Sequence, residues 1–450
     1  MDRSEITARG EAIDKAAQLA LAHAKSLGID EITIGTSVGA EKRLVVENKE
    51  FTLANTIDSQ SIGIEVHKGK KKGSASVNVT DPATVKKAVE DALALANFSV
   101  ADEWLRIADQ TLAPKAKALP FLFDDKLATM SLADLEPTMS ELLVELTSDQ
   151  RVALDRFEMT MRVGRQSMFN SNGVYQTEHQ TMINWDFVGM AVKGEQVSGM
   201  SYDSGFSYGH DGFKTRATKQ ISEFKERVIR SLDPKPAPSY HGLVVFGPRA
   251  FKSIFVNTIL FQASGRSVMD KKSKWEQLVG KSVASPMLTI VDNPHASELM
   301  GCTAYDGEGL PTRFNSIIDS GKLVQFNCDL YSGAKLGIAP RGLDGGPFGL
   351  IVSPGSMTLD EMTKSRKEIL FIDRFSGNTD TVTGDFSGVA KSSAIYKDGT
   401  FAYSTTETMI AGNALTLLNK LVGLCKTPEI VSGSYSCPAV LIDDVSVTGK

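Results

Sequence analysis

Three prolines within five residues, in Asp233-Pro-Lys-Pro-Ala-Pro-Ser239, cut this chain of 450 residues near its middle. Each proline lacks an N–H and fixes φ, so neither a helix nor a central strand runs through the segment, which reads as an exposed linker without regular structure. Before it, residues 5–27 carry Ile13, Ala16, Ala17, Ala20, Leu21 and Ala24 at helical spacing, stopped by Gly28. Strand-like runs follow at 31–38, 43–48, 51–57, 61–67 and 74–79. Asp81 and Pro82 then open a second helix through Ala96. One sheet covered by two helices makes an N-terminal α+β domain over residues 1–125. A helix over 131–147, alternating runs between 153 and 206 with the turn Asn170-Ser-Asn-Gly173, and a polar helix over 214–232 make a strand-rich middle domain, 126–235. Beyond the linker come a strand at 242–246, a helix over 248–264, glycine-separated strands, and a helix over 408–424. The C-terminal domain, 240–450, is β-dominated, and the fold class is α+β.

Composition narrows the function. With 42% hydrophobic residues, 23% charged residues and a net charge of −5, the chain is an ordinary globular one, with no strong field for nucleic acid or membrane. Lys68-Gly-Lys70-Lys71-Lys72 is short and reads as a solvated hairpin tip. No apolar run reaches the roughly 18 residues of a membrane span. The N-terminus lacks an apolar export core, so cytoplasmic residence is expected. Cys302, Cys328, Cys425 and Cys437 have no CxxC spacing, which argues against a disulfide or zinc framework.

The helix over 248–264 raises the chemical question. Its end reads Phe261-Gln-Ala-Ser-Gly-Arg266. Other stretches form an ordered series: Gly63-Ile-Glu-Val-His67 with its lysine turn, Asn170-Ser-Asn-Gly173, Asp306-Gly-Glu-Gly309 followed by Pro311-Thr-Arg, Ile318-Asp-Ser-Gly-Lys-Leu323, Thr383-Gly-Asp-Phe-Ser387, and the terminal segment 438–449. This series resembles the TldD/PmbA family of metallopeptidases, whose members also carry the label modulator of DNA gyrase, and it is closer to the PmbA (TldE) branch. In zinc-bearing members the helix carries His-Glu-x-x-x-His. Here that register holds Phe261, Gln262 and Arg266. Zinc needs imidazole, thiolate or carboxylate donors, and hydrolysis needs a base beside the bound water. Phenylalanine and glutamine supply neither, and arginine repels a cation.

The resemblance thus implies a non-catalytic subunit that binds no cofactor itself. A TldD-type partner would bring the zinc, and the substrates would be unfolded peptides. A peptide could add a strand to a sheet edge of the C-terminal domain. Two other readings stay open: a stand-alone homodimeric binding or assembly protein, and a hydrolase with a different site. The six histidines are all more than ten residues apart, so no helical pair exists. Gly35-Thr-Ser37-Val-Gly39 is a formal nucleophile-elbow pattern, set against an ordinary hairpin turn. Asp306, Glu308 and Gly309 form either a cation or substrate-amine site or a turn with solvated acids. Gly342–Gly349 lacks the lysine and serine of a phosphate loop and either borders a substrate passage or is a surface loop. Cys425 lies near the region where the family places a thiolate ligand, and reads as a buried structural thiol.

Overall fold

The computed structural model describes residues 1–344 and 346–449. Helix α1 (Arg3–Ser26) starts at Asp2, whose carboxylate accepts from the Glu5 N–H, and it buries Ile13, Ala17, Ala20 and Ala24 on one face. Strands β1 (Glu31–Glu47), β2 (Glu50–Lys68) and β3 (Lys71–Val77) form an antiparallel meander, and α2 (Pro82–Phe98) packs back onto it. Gly73 permits that approach, since a Cβ there would lie 2.1 Å from the Ala92 carbonyl oxygen. After α3 (Asp125–Thr129) and α4 (Leu132–Leu146) come β4 (Val152–Asn170), β5 (Tyr175–Lys193), β6 (Gln196–Val197), β7 (Ser201–Ser207) and α5 (Phe213–Arg230).

Strand β1 pairs with β4 from Thr33↔Asn170 to Glu47↔Arg156. The strands on either side of residue 125 therefore belong to one seven-stranded sheet, and the expected division falls in a connection between its two parts. The seam carries a buried ion pair, Arg165 Nη2 to Asp14 Oδ2 at 2.6 Å. The separate strands expected at 31–38 and 43–48 are one strand. Gly39 lies within it, where a Cβ would stand 2.7 Å from the Val163 carbonyl oxygen. Ser37 is mid-strand, opposite Ser61 and Gln166, so the Gly35–Gly39 pattern is neither an elbow nor a turn.

The second half begins with β8 (Lys235–Pro236), β9 (Tyr240–Phe246), α6 (Pro248–Phe251), a π turn over Lys252–Val256, α7 (Asn257–Gln262) and α8 (Gly265–Met269). Then follow β10 (Ile290–Asp292), β11 (Asn315–Asp319), β12 (Lys322–Leu323), α9 (Leu330–Leu336), β13 (Leu350–Val352) and α10 (Leu359–Lys364). The chain closes with β14 (Glu368–Thr379), β15 (Asp385–Lys397), β16 (Thr400–Thr406), β17 (Met409–Asn413), α11 (Ala414–Leu417), β18 (Leu421–Val431) and β19 (Tyr435–Thr448). Within the large second sheet, β9 pairs with β14, β14 with β15, β15 with β17, β17 with β19, and β19 with β9 again. That closes a ring and removes those strands' free edges. Phe255, on the helical run 248–262, meets Phe246 at 5.2 Å and Phe386 at 5.9 Å between ring centres. Ile259, Ile410 and Val440 belong to the same core.

Two expectations fail here. The helix over 408–424 is β17, one turn of helix and β18. Its leucine spacing suits a helix, but pairing with β15 and β19 closes the ring, and tertiary pairing overrides propensity. The proline linker is not free of structure either. No helix crosses it, but Lys235 and Pro236 pair in parallel with Thr405 and Thr406, and Ala237 is buried.

Candidate functional site

The degenerate segment 261–266 is not one continuous helix. Helix α7 ends at Gln262, and Ser264 is extended, with φ −75 and ψ 127. Two backbone bonds fix this break: Gly265 N–H to the Asn327 carbonyl and Asn327 N–H to the Ala263 carbonyl, both 2.8 Å. Gly265 is needed there, because a Cβ would lie 2.5 Å from Cys328 Sγ.

Two of the three matched positions, Gln262 and Arg266, are committed to the fold by side-chain bonds. Phe261 is half-buried. Gln262 is wholly buried, and its amide is fully used. Nε2 donates to the Thr381 carbonyl at 2.6 Å and the Val382 carbonyl at 3.2 Å. Oε1 accepts from the Lys274 N–H at 2.5 Å and from Ser273 Oγ at 3.3 Å. An amide offers two donors and one two-fold acceptor, so nothing is left over for a metal or water. Arg266 is exposed, pairs with Asp329 at 2.7 Å and stacks over the Tyr331 ring at 4.6 Å. These side chains do not fit zinc.

The acidic loop lies beside this segment, joined to it through residues 327–332. Glu308 accepts from the Leu330 N–H at 2.8 Å, and Asp329 caps α9 through the Ser332 N–H. Asp306 accepts from the N–H groups of Glu308, Leu310 and Asp344, so it holds the loop together. Burial pushes the Asp306 carboxyl up to about 6. Burial, with the charges of Asp344, Asp306 and Asp329 adding, pushes Glu308 up to about 8. Burial disfavours charge on Asp329 too, but bonds from Ser332 and Arg266 outweigh it and hold its pKa low. Glu308, Asp329 and Asp344 each bring one carboxylate oxygen within 4.8 Å of the others. Such an all-oxygen set suits a hard cation or an ammonium group rather than zinc. Gly309 has φ +85, its carbonyl accepts from Gln176, and a Cβ would meet Met168 Sδ at 2.5 Å, so packing accounts for this glycine.

Sequence reasoning found Asp306 and Glu308 but missed Asp329 and Asp344. Asp329-Leu-Tyr-Ser332 is a helix-capping pattern, and Asp344 sits in the glycine loop, of which Gly345 lies outside the described residues. Cys425 is buried in a separate apolar cluster with Val245, Met362 and Ile369. Among the described residues, the one group able to gather three metal-ligating side chains contains neither histidine nor cysteine.

The seven-stranded first sheet, the closed strand ring and the helices packed against them define a class of protein, a strand-rich α+β fold. Residues 240–449 match the PmbA/TldA metallopeptidase C-terminal domain, and residues 37–96 match PmbA/TldA metallopeptidase domain 1. The chain belongs to the PmbA/TldD family, on its PmbA/TldE side. It is 24% identical over 455 residues to Metalloprotease PmbA of Escherichia coli O157:H7, covering 99% of this chain and 98% of that one. TldE from Thermococcus kodakarensis has the same fold, with a TM-score of 0.85 at 19% identity over 96% of this chain and 100% of that one. A Thermotoga maritima protein described as a modulator of a DNA gyrase gives 0.84 at 20% identity, over 97% and 100%. Among the described residues, no helix is long and apolar enough to cross a membrane.

Proposed function

We propose that this chain is the non-catalytic subunit of a two-subunit zinc peptidase acting on unfolded peptides. A TldD-type partner supplies the zinc and its ligands. The observation that carries this reading is Gln262. A residue at the place of the catalytic glutamate is buried, with every amide bond used by the fold. Arg266, at the place of the second histidine, puts a cation there itself and is held by Asp329. In this reading Glu308 and Asp306 belong to an anionic margin of the substrate path, with Gly309 shaping their loop.

The test is elemental analysis and cleavage of an unfolded peptide by the isolated chain, by a TldD-type chain, and by the two together. The isolated chain is expected to hold no stoichiometric zinc and to cleave nothing, and the mixture to form a complex that cleaves. Tightly held zinc in the isolated chain, lost on substitution within residues 250–266, would overturn the reading. So would chelator-sensitive cleavage by the isolated chain.

A further inference from the structure

Strand β3 covers β2 only from Ile62 onward, where Ile62 pairs with Val77. Among the described residues, 50–61 pair with β1 on one side and with no strand on the other. All of 50–61 is exposed except half-buried Asn55. Within this edge, Phe51-Thr-Leu-Ala-Asn-Thr-Ile57 carries no charge, no proline and no glycine, so each residue keeps its backbone N–H. Leu53 and Ile57 are 38% and 48% exposed. An uncharged, β-prone edge recruits another strand, and proteins guard such edges with lysine, proline, a bulge or a covering element. Further along the same side the guards are present: β3 opens with Lys71 and Lys72, and α2 packs against it. On β2 the one guard is a bulge at Thr52, which lies outside 53–57.

The sequence of the edge fits its own copy. Two copies related by a two-fold axis run antiparallel, and each contact occurs twice. Outward N–H and C=O groups alternate along a strand, so the open registers step by two residues. With the axis at Asn55, Leu53 faces Ile57, Thr52 faces Asp58 and Glu50 faces Gln60. Moved one step toward β3, Glu50 of the second copy lands opposite Ile62, a place already taken by Val77. Moved one step the other way, Glu50 opposes Asp58, and like charges directly opposite destabilise a sheet. On the axis, two Asn55 amides face each other, each able to donate and accept. Asn55 Oδ1 is screened from solvent and has no hydrogen-bond partner within its own chain.

We infer that two copies of this chain pair through β2, antiparallel about a two-fold axis at Asn55, with 53–57 as the central seam. Five facing residue pairs exchange about four to six N–H···O bonds, at the low end of what an interface carries, so the dimer separates on dilution. The inference is independent of the proposed pairing with a catalytic subunit.

Sedimentation velocity of the isolated full chain between about 1 and 100 μM tests it. A concentration-dependent shift from monomer to dimer is expected. Leu53→Lys with Ile57→Lys places like charges opposite each other twice and should weaken the dimer at least about tenfold. Leu53→Lys with Ile57→Glu places opposite charges there instead and should recover most of that loss. Phe98→Lys, at the far end of α2 and 89% exposed, should dimerise as wild type. The register has its own readout, which leaves the rest of the edge intact. Directly opposed residues of an antiparallel pair lie within disulfide reach, and the four native cysteines are buried. Asn55→Cys should therefore cross-link to a dimer with oxidised glutathione, and Ser59→Cys, opposite Phe51, should not. A chain that stays monomeric throughout, a Lys/Glu variant no stronger than the Lys/Lys one, or equal cross-linking of Asn55→Cys and Ser59→Cys would overturn the inference. So would a dimer seen only after a TldD-type chain is added. No peptidase partner is present in these measurements, so their failure leaves the subunit assignment standing, and failure of the mixing experiment leaves this inference standing.

Discussion

Replacing Gln262 by glutamate changes one nitrogen to oxygen and should make the fold sensitive to pH. The wild-type amide gives two N–H groups to the Thr381 and Val382 carbonyls at a site with no solvent exposure. A protonated carboxyl has one donor, so one carbonyl loses its partner, which costs about 1–3 kcal/mol. An ionised carboxylate has no donor and faces two carbonyl oxygens in a buried site, so its folded pKa must rise above the unfolded value of about 4.3. A raised carboxyl pKa means the folded state binds more protons than the unfolded state. The contribution is fully present below about pH 4.3 and is lost as pH climbs through the folded pKa. If the rise is about two units, the further loss by pH 8 is about 3 kcal/mol, at 1.36 kcal/mol per unit.

The assay is urea unfolding of wild type and variant between pH 5 and pH 8. It can be followed at Trp275, which is buried one residue beyond the Lys274 N–H that bonds Gln262. Gln262→Met, near in volume but unable to titrate, should show a deficit that does not change with pH. A Gln262→Glu variant as stable as wild type at pH 8, or with a deficit independent of pH, would refute the argument that this position is closed to the catalytic base.

Other outcomes follow from the same structure. Phe261→His, Gln262→Glu and Arg266→His together should bind zinc weakly at best and give little cleavage, read by zinc titration and peptide assay. Five residues of a regular helix sweep about 500°, the helix stops at Gln262, and no supporting groups orient the new imidazoles. Asp14→Ala should destabilise the chain by about 3–5 kcal/mol in denaturant titration, since it leaves Arg165 buried without its carboxylate. For His67, burial opposes the charged form, but bonds to Glu31 and Glu65 outweigh it and raise its pKa to about 9. Its stabilisation should therefore be full below about pH 6.5 and fade as pH rises through 9. An NMR titration should show Glu65→Gln lowering that pKa. Gly73→Ala should cost about 1–3 kcal/mol in thermal or urea unfolding, by forcing α2 off β3.

Most helices and strands of the first half were legible because their signals are local. Asp81-Pro82, the alternation of 153–206 and the turn at 170–173 all act within a few residues. What was not legible depends on distance. Gly39 looked like a turn residue because its real constraint, the Val163 carbonyl, lies in β4. Residues 408–424 looked helical because the strands that claim them begin at Asp385 and Tyr435. Of the acidic group, Glu308 stands out in the sequence beside Asp306 on one loop, whereas Asp329 and Asp344 arrive from separate turns.

The chemistry of the degenerate segment was legible at the level of residue type and not at the level of commitment. That phenylalanine, glutamine and arginine make no zinc site follows from their donor atoms alone. Only the geometry shows that the replacements hold the fold. Gln262 ties α7 to the turn between β14 and β15 and to the Lys274 backbone. Arg266 ties α8 to the cap of α9 through Asp329, and the Leu330 N–H of that same helix holds Glu308. Substituting Arg266 therefore removes the one cation that, among the described residues, pairs with Asp329, and it leaves three neighbouring acids to repel one another or hold protons. Gln262 and Arg266 are thus bound into the fold by hydrogen bonds and charge, so a metal ligand at either position means giving up a structural bond.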